Sequence, residues 1–125
     1  IASGGELSRI SLAISVVMAN ASKTPSLIFD EVDSGIGGNT AHTVGKLLKL
    51  LGNDQQILCV THLPQVAANG HHHFYISKNI ANTLATSIVK KITDNERVNE
   101  IARMLGSGEQ LDASIVHAKA LLRDQ

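Results

Sequence analysis

Two short apolar runs, Leu27-Ile28-Phe29 and Ile57-Leu58-Cys59-Val60, frame a stretch in which Val44, Leu47, Leu48 and Leu51 recur at helical spacing. Unalternating runs of this length fit strands buried on both faces, and about three turns of helix is the length that a crossover between parallel strands requires. The arrangement predicts a βαβ unit with parallel strands and a right-handed connection. Each run also leads into polar residues, Asp30-Glu31 after the first and Thr61-His62 at the end of the second, whose strand is expected over Ile57 to Thr61. Ligands of open α/β sheets sit outside the carboxyl ends of the strands, so these four residues are expected along one crevice.

The flanking segments extend this core. Leu7, Ile10, Ile14, Val17, Met18 and Ala21 predict an amphipathic helix over residues 4 to 20 with one buried stripe, capped by Ser3. Asn39 or Thr40 is the expected cap of the crossover helix, and Gly52-Asn53 its end. Pro64 suits the first turn of a short helix running to about Asn69 and stopped by Gly70. Residues 74–78 and 84–92 read as a β-hairpin joined across Asn79-Ile80-Ala81-Asn82. Asp94 can cap a helix with Val98, Ile101, Ala102 and Leu105 on one face, and Gly106-Ser107-Gly108 separates it from a last helix carrying Ile115, Ala118, Leu121 and Leu122. The fold class is thus α/β: a parallel βαβ core, then a hairpin and two C-terminal helices, within one unit spanning residues 1–125. The chain opens at Ile1 without an initiator Met and reads as a piece of something longer.

Composition narrows the function classes. With 43% hydrophobic and 18% charged positions the chain has the means to build a core. Eleven basic residues balance eleven acidic ones, so attraction to nucleic acid or to an anionic surface must come from a local patch. Aromatics make up 2%, too few for a base-stacking platform. One cysteine, Cys59, excludes an intrachain disulfide framework and fits a reducing, cytoplasmic compartment as a small buried hydrophobe. Neither a spanning helix nor a secretory leader is expected from apolar runs this short.

Four clusters could carry chemistry. Ser3-Gly4-Gly5-Glu6 has the form of a capping box, yet two glycines in a first helical turn cost roughly 1 kcal/mol each. Glycine there lets the backbone amides and positive helix end approach a phosphate, with Ser3 as a further donor. Asp30-Glu31 is the more specific signal, since paired carboxylates at the end of an apolar strand suit a cation and a general base; the bland alternative is a solvated acidic loop. Asp33 could reach the same site or simply cap the Gly-rich turn that follows. His62 could contact a phosphate or orient water, although a lone strand-end histidine is more often structural. Two other groups read as surface. His71-His72-His73 alternates across a strand without matching metal-ligand spacing, and Lys90-Lys91 with Arg97 reads as a solvated basic face. A serine hydrolase is disfavoured because no G-x-S-x-G elbow occurs, and Ser34 does not directly follow a strand.

In order along the chain, Ala2-Ser3-Gly4-Gly5-Glu6-Leu7-Ser8-Arg9, Leu27-Ile28-Phe29-Asp30-Glu31-Val32-Asp33 and Val60-Thr61-His62-Leu63-Pro64-Gln65-Val66-Ala67 resemble the signature loop, Walker B strand and switch histidine of ABC-type ATPases. Asp30 to Gly38 and Thr61 to Ala67 narrow the resemblance to SMC-like ATPases of DNA repair. The resemblance covers essentially the whole chain and implies the C-terminal portion of a P-loop (ABC/RecA-like) ATPase head. It implies Glu31 as catalytic base, His62 as switch residue, Asp30 on the Mg²⁺ side, and Ser3, Gly4, Gly5 and Glu6 contacting ATP held by a second head. The implied partners are a second copy in a head-to-head dimer, the N-terminal Walker A half of the same head, and DNA through the full-length protein in the cytoplasm or nucleoid, with no membrane. Departures from the family pattern are Ala2 in place of Leu, Gly37 where an Asp commonly closes the loop after Walker B, and Val32-Asp33 in place of the Pro-Thr of transporters. No G-x-x-x-x-G-K-[ST] string occurs, so the chain by itself is expected to lack turnover. The alternatives are a head segment of another SMC-like or ABC machine, and a non-catalytic interaction module with the same fold.

Overall fold

The computed structural model describes residues 1–18, 21, 25–81, 84–106 and 111–124. In chain order the elements are α1 (Gly4–Val17), β1 (Ser26–Phe29), α2 (Gly38–Leu51), β2 (Gln56–Cys59), α3 (Pro64–Ala67), β3 (His73–Ala81), β4 (Leu84–Ile92), α4 (Asp94–Leu105) and α5 (Leu111–Arg123). The βαβ expectation holds: β1 and β2 pair in parallel, from Ser26 opposite Gln56 to Phe29 opposite Cys59. β3 and β4 form a separate antiparallel pair with Ala81 opposite Leu84. The expected turn therefore starts too early at Asn79, because strand pairing continues through Ala81, and its Asn82 lies outside the described residues.

One core lies between α1, α2 and the parallel pair, built from Leu12, Phe29, Val44, Leu48, Leu51 and Val66 around the fully buried Val32. A second joins α3 to the C-terminal helices through Ala68, Ile101, Ala102 and Ala118. Three of its four buried members are alanine, so this second core is built largely from small residues. The same device appears between α2 and α3, where a Cβ on Gly45 would stand 2.5 Å from Asn69 Nδ2 and 2.9 Å from the Gln65 carbonyl oxygen. Asn69 itself is buried and donates to that carbonyl at 2.7 Å. Arg97 of α4 fastens the end of α3 from the other side, its Nη2 donating to the carbonyls of Ala67, Ala68 and Gly70.

Several local expectations are corrected. α1 buries Leu12 and Gly5, whereas Leu7, Ile10, Ile14, Val17 and Met18 are exposed; periodicity identified an apolar stripe, but nothing among the described residues covers it. The helix stops at Val17, and the expected continuation through residues 19 and 20 lies outside the described residues. β1 is buried at Phe29 but not at Ile28, which is 72% exposed, so burial on both faces is not realised in this two-stranded sheet. β2 ends at Cys59 rather than Thr61, because Thr61 and His62 turn away to hydrogen-bond with Asp33. α2 starts earlier than expected, with Gly37 as its N-cap, two residues before Asn39 and three before Thr40. α4 is capped by Thr93, with Asp94 already in the helix at φ 34°. Of the Gly106-Ser107-Gly108 spacer, residues 107 and 108 lie outside the described residues.

Gly45→Ala gains helix propensity but inserts a methyl group against α3, and the net expectation is a stability loss of about 1–2 kcal/mol. Chemical denaturation of the protein with and without the substitution measures it; an unchanged midpoint would show that α2 and α3 separate freely.

Candidate nucleotide site at the strand ends

All three motif segments meet at the turn that leaves β1. The turn runs from Asp30 to Ser34 and is closed by Ser34 N donating to Glu31 O at 3.0 Å. Glu31 sits in left-handed backbone at φ 58°, a conformation that a non-glycine residue adopts at some cost. Gly35, at φ 70°, continues the loop where a side chain would be strained. Asp30 and Glu31 are exposed, while Val32 and Asp33 are buried. Sequence alternation would place Asp33 with Glu31; the turn separates them into an outward carboxylate and an inward one.

The α1 segment is fitted against this turn. Ser3 and Glu6 form the complete capping box, Glu6 N donating to Ser3 Oγ at 3.2 Å and Ser3 N to Glu6 Oε2 at 2.9 Å. The two glycines between them are explained by contact within the chain. A Cβ on Gly4 would collide with the Glu31 carboxylate, and one on Gly5 would lie 3.0 Å from the Glu31 carbonyl and 3.0 Å from Ser34 Cβ. The Glu31 carboxylate thus lies over the N-terminal end of a 14-residue helix, where the helix dipole favours negative charge. One turn further on, Ser8 Oγ donates to Asp30 O at 2.7 Å, and Arg9 Nη1 donates to Ser34 O at 2.8 Å and Val32 O at 3.3 Å. Gly4 and Ser8, like Gly5 and Arg9, are four residues apart and share a helix face. That spacing was a readable signal for Ser8 and Arg9, neither of which stands out as an isolated residue type.

Asp33 binds the third segment. Its Oδ2 accepts hydrogen bonds from the Thr61 hydroxyl, from His62 N at 3.1 Å and from Leu63 N at 3.3 Å. His62 Nδ1 lies 3.4 Å from the same oxygen, while the imidazole as a whole is 73% exposed. The ambiguity over Asp33 resolves toward the Thr61–Leu63 segment and away from a cap on the Gly-rich turn.

Cys59 lies beside the carboxylates, and its thiol is pushed up to about 12 by burial first, then by Asp33 and Asp30. A thiol in that state is a poor nucleophile.

The remaining candidates gather elsewhere. His71, His72 and His73 border a cleft of about 470 Å³ together with Lys91 and Arg97, and no residue of the three motifs lines it. His73 opens β3 half-buried, and burial and then Arg97 lower its pKa. Lys90 is paired with Glu96. Among the described residues, no group of three or more His, Cys, Asp or Glu could hold a metal ion, and no helix is long and apolar enough to cross a membrane.

No protein-family model matches the chain. The chain is 51% identical over 122 residues to the DNA repair protein RecN of Vibrio cholerae serotype O1, a match covering 98% of this chain and 22% of that protein. It is 48% identical over 122 residues to RecN of Deinococcus radiodurans, covering 98% of this chain and 21% of the relative. For Bacillus subtilis RecN the figures are 42% over 123 residues, 98% and 21%. The chain therefore spans about a fifth of the length of the curated relatives it matches. Among solved structures, one from work on the structural biochemistry of ATP-driven dimerization and DNA stimulated activation of SMC ATPases superposes with a TM-score of 0.59 at 18% identity, covering 86% of this chain and 64% of that one.

The position of Cys59 gives a direct check on this geometry: alkylation of the folded protein near pH 8 is expected to be on the order of 100-fold slower than that of an unfolded cysteine. Rapid labelling under native conditions would mean that the ends of β1 and β2 are open to solvent. Over nearly its whole length this chain is thus similar to a segment of RecN proteins, and its α/β fold is similar to that of a solved SMC ATPase structure.

Proposed function

We propose that residues 1–125 are the C-terminal segment of the ATP-hydrolysing head of a RecN-like protein acting in recombinational repair of DNA double-strand breaks. The observation that carries this reading is the convergence of the signature-like, Walker B-like and switch-like segments on the single turn from Asp30 to Ser34. In this reading the phosphates of ATP are cradled mainly by a Walker A loop from the N-terminal half of the same head. The present chain contributes the residues that act on the γ-phosphate.

The exposed Asp30 is a fitting Mg²⁺ residue, because Mg²⁺ retains waters and is commonly held by one or two carboxylates together with substrate phosphates. The bound ion supplies charge neutralisation on the phosphates. Glu31 takes a proton from the attacking water as general base; the water oxygen bonds to the γ-phosphorus as the bond to the β,γ-bridging oxygen breaks. His62 presents its exposed imidazole to the γ-phosphate or to that water. Across a two-fold dimer, each head offers Ser3, Gly4, Gly5 and Glu6 to the nucleotide of the other, an isologous arrangement. Exposure of Ser3, Gly4 and Glu6 at the positive end of α1 supports a role in contacting phosphate. Hydrolysis then separates the heads, and this cycle drives engagement of DNA ends by the full-length protein in the cytoplasm and nucleoid.

Glu31→Gln in the full-length parent is expected to lower ATP turnover by about 100-fold or more while leaving an ATP-bound dimer intact. Turnover assays with and without linear duplex DNA, beside size-exclusion chromatography with ATP, measure both effects. Undiminished turnover in the variant, or persistent monomers with ATP, would overturn the assignment of Glu31.

The isolated 125 residues are expected to show no micromolar ATP binding by isothermal titration, because no Walker A string lies within them. A micromolar isotherm would refute the division of the site between two segments.

A further inference from the structure

We propose that Asp33 is the positioning residue for His62, holding the switch segment in place through one buried carboxylate oxygen. The inference rests on the ATPase reading above and assigns to the site a residue that does not itself touch nucleotide. Asp33 is 2% exposed, and a buried carboxylate is costly unless hydrogen bonds satisfy it. Three donors do so at Oδ2: the Thr61 hydroxyl and the backbone amides of His62 and Leu63. They are consecutive residues, so the backbone wraps around a single acceptor.

The local turn does not require this arrangement. Leu63 N also donates to Thr61 Oγ1 at 3.1 Å, a side-chain turn that Thr61 closes unaided. Asp33 adds what that turn lacks, a fixed point on the neighbouring strand end. The last bond that ties the departing segment to β1 is Val60 N to Phe29 O at 3.0 Å. Beyond Val60, the His62 amide has Asp33 as its partner. The imidazole is 73% exposed, so packing does little to orient it. A carboxylate oxygen 3.4 Å from Nδ1 favours the ring orientation with Nδ1 inward, which leaves Nε2 as the outward nitrogen of a largely exposed ring. Asp33 therefore acts through His62, by placing its backbone and by selecting its ring face.

The test is a double-mutant cycle in the full-length parent, with kcat and KM for ATP measured for Asp33→Ala, His62→Ala and the double variant. Asp33→Ala is expected to lower kcat by about tenfold or more with a much smaller change in KM, because misplacing one catalytic group by a fraction of an ångström acts on the chemical step. In the His62→Ala background the same change is expected to alter kcat by less than about twofold, since a residue acting through His62 has nothing left to position. Asp33→Asn, whose amide oxygen can accept from the same donors, should restore most of the lost kcat. Should Asp33→Ala fail to fold, Asp33→Glu carries the same cycle, keeping the carboxylate but shifting the acceptor by one methylene. Independent losses in the two backgrounds, or no rescue by Asn, would overturn the proposal. Glu31→Gln, run alongside, separates the two readings. Turnover that is lost in Glu31→Gln but falls additively with Asp33 and His62 leaves the ATPase assignment standing and sinks only the role of Asp33. A parent without turnover sinks both.

Discussion

The hydrogen bonds received by the turn from Asp30 to Ser34 are the constraint on which the rest of this structure depends. Ser8 and Arg9 reach it from α1, and Thr61, His62 and Leu63 from the end of β2. Apart from the Thr61 hydroxyl, whose acceptor is a carboxylate, the side-chain donors from α1 take backbone carbonyls, while the backbone donors from β2 take a side-chain oxygen. The turn is therefore read from both sides by complementary chemistry, and neither set of donors can shift without exposing unpaired groups. Three sequence-distant segments are thus made into one site, although only two short strands lie beneath them.

The two faces of that turn do different work. Val32 and Asp33 point inward, one into the apolar core and one into the hydrogen-bonded knot around His62. Asp30 and Glu31 point outward. A Cβ on Gly5 would press on the Glu31 carbonyl, and one on Gly4 would displace the Glu31 carboxylate from its place over the helix end. The capping-box and glycine-access readings of Ser3-Gly4-Gly5-Glu6 are thereby compatible: Ser3 and Glu6 stabilise the helix start while the glycines between them admit Glu31. The cap uses the Ser3 oxygen as an acceptor and leaves its hydroxyl proton available.

Much of this was legible in the sequence where it depended on local pattern. The two apolar runs and the intervening stripe specified a parallel βαβ unit, and Pro64 marked the start of α3. Ser3 and Glu6, three residues apart, announced the capping box that forms. What stayed hidden depended on partners. Leu7, Ile10 and Ile14 are apolar at helical spacing, but spacing does not say which neighbour covers a face, and here it is Leu12 that reaches the core. Likewise Ile28 belongs to an apolar run yet lies open, because burial on the second face of a strand is a property of the layer above it. The role of Asp33 was ambiguous for a related reason: its donors lie 28 to 30 positions away in the chain.

The balance between open and closed surfaces gives the site its mechanical character. The exposed apolar residues of α1 and of the strands mark surface that contributes little to stability in this chain alone. By contrast, the segments bearing Glu31 and His62 are held by directional bonds to buried or backbone acceptors. Hydrogen bonds fix geometry within a few tenths of an ångström, whereas apolar contact is non-directional and tolerates sliding. The candidate catalytic groups sit on the hydrogen-bonded turn and on the segment bonded to it rather than on the apolar faces. The relation of Glu31 to α1 is set by the close fit of Gly4 and Gly5 against it, and that of His62 to Asp33 by a direct hydrogen bond.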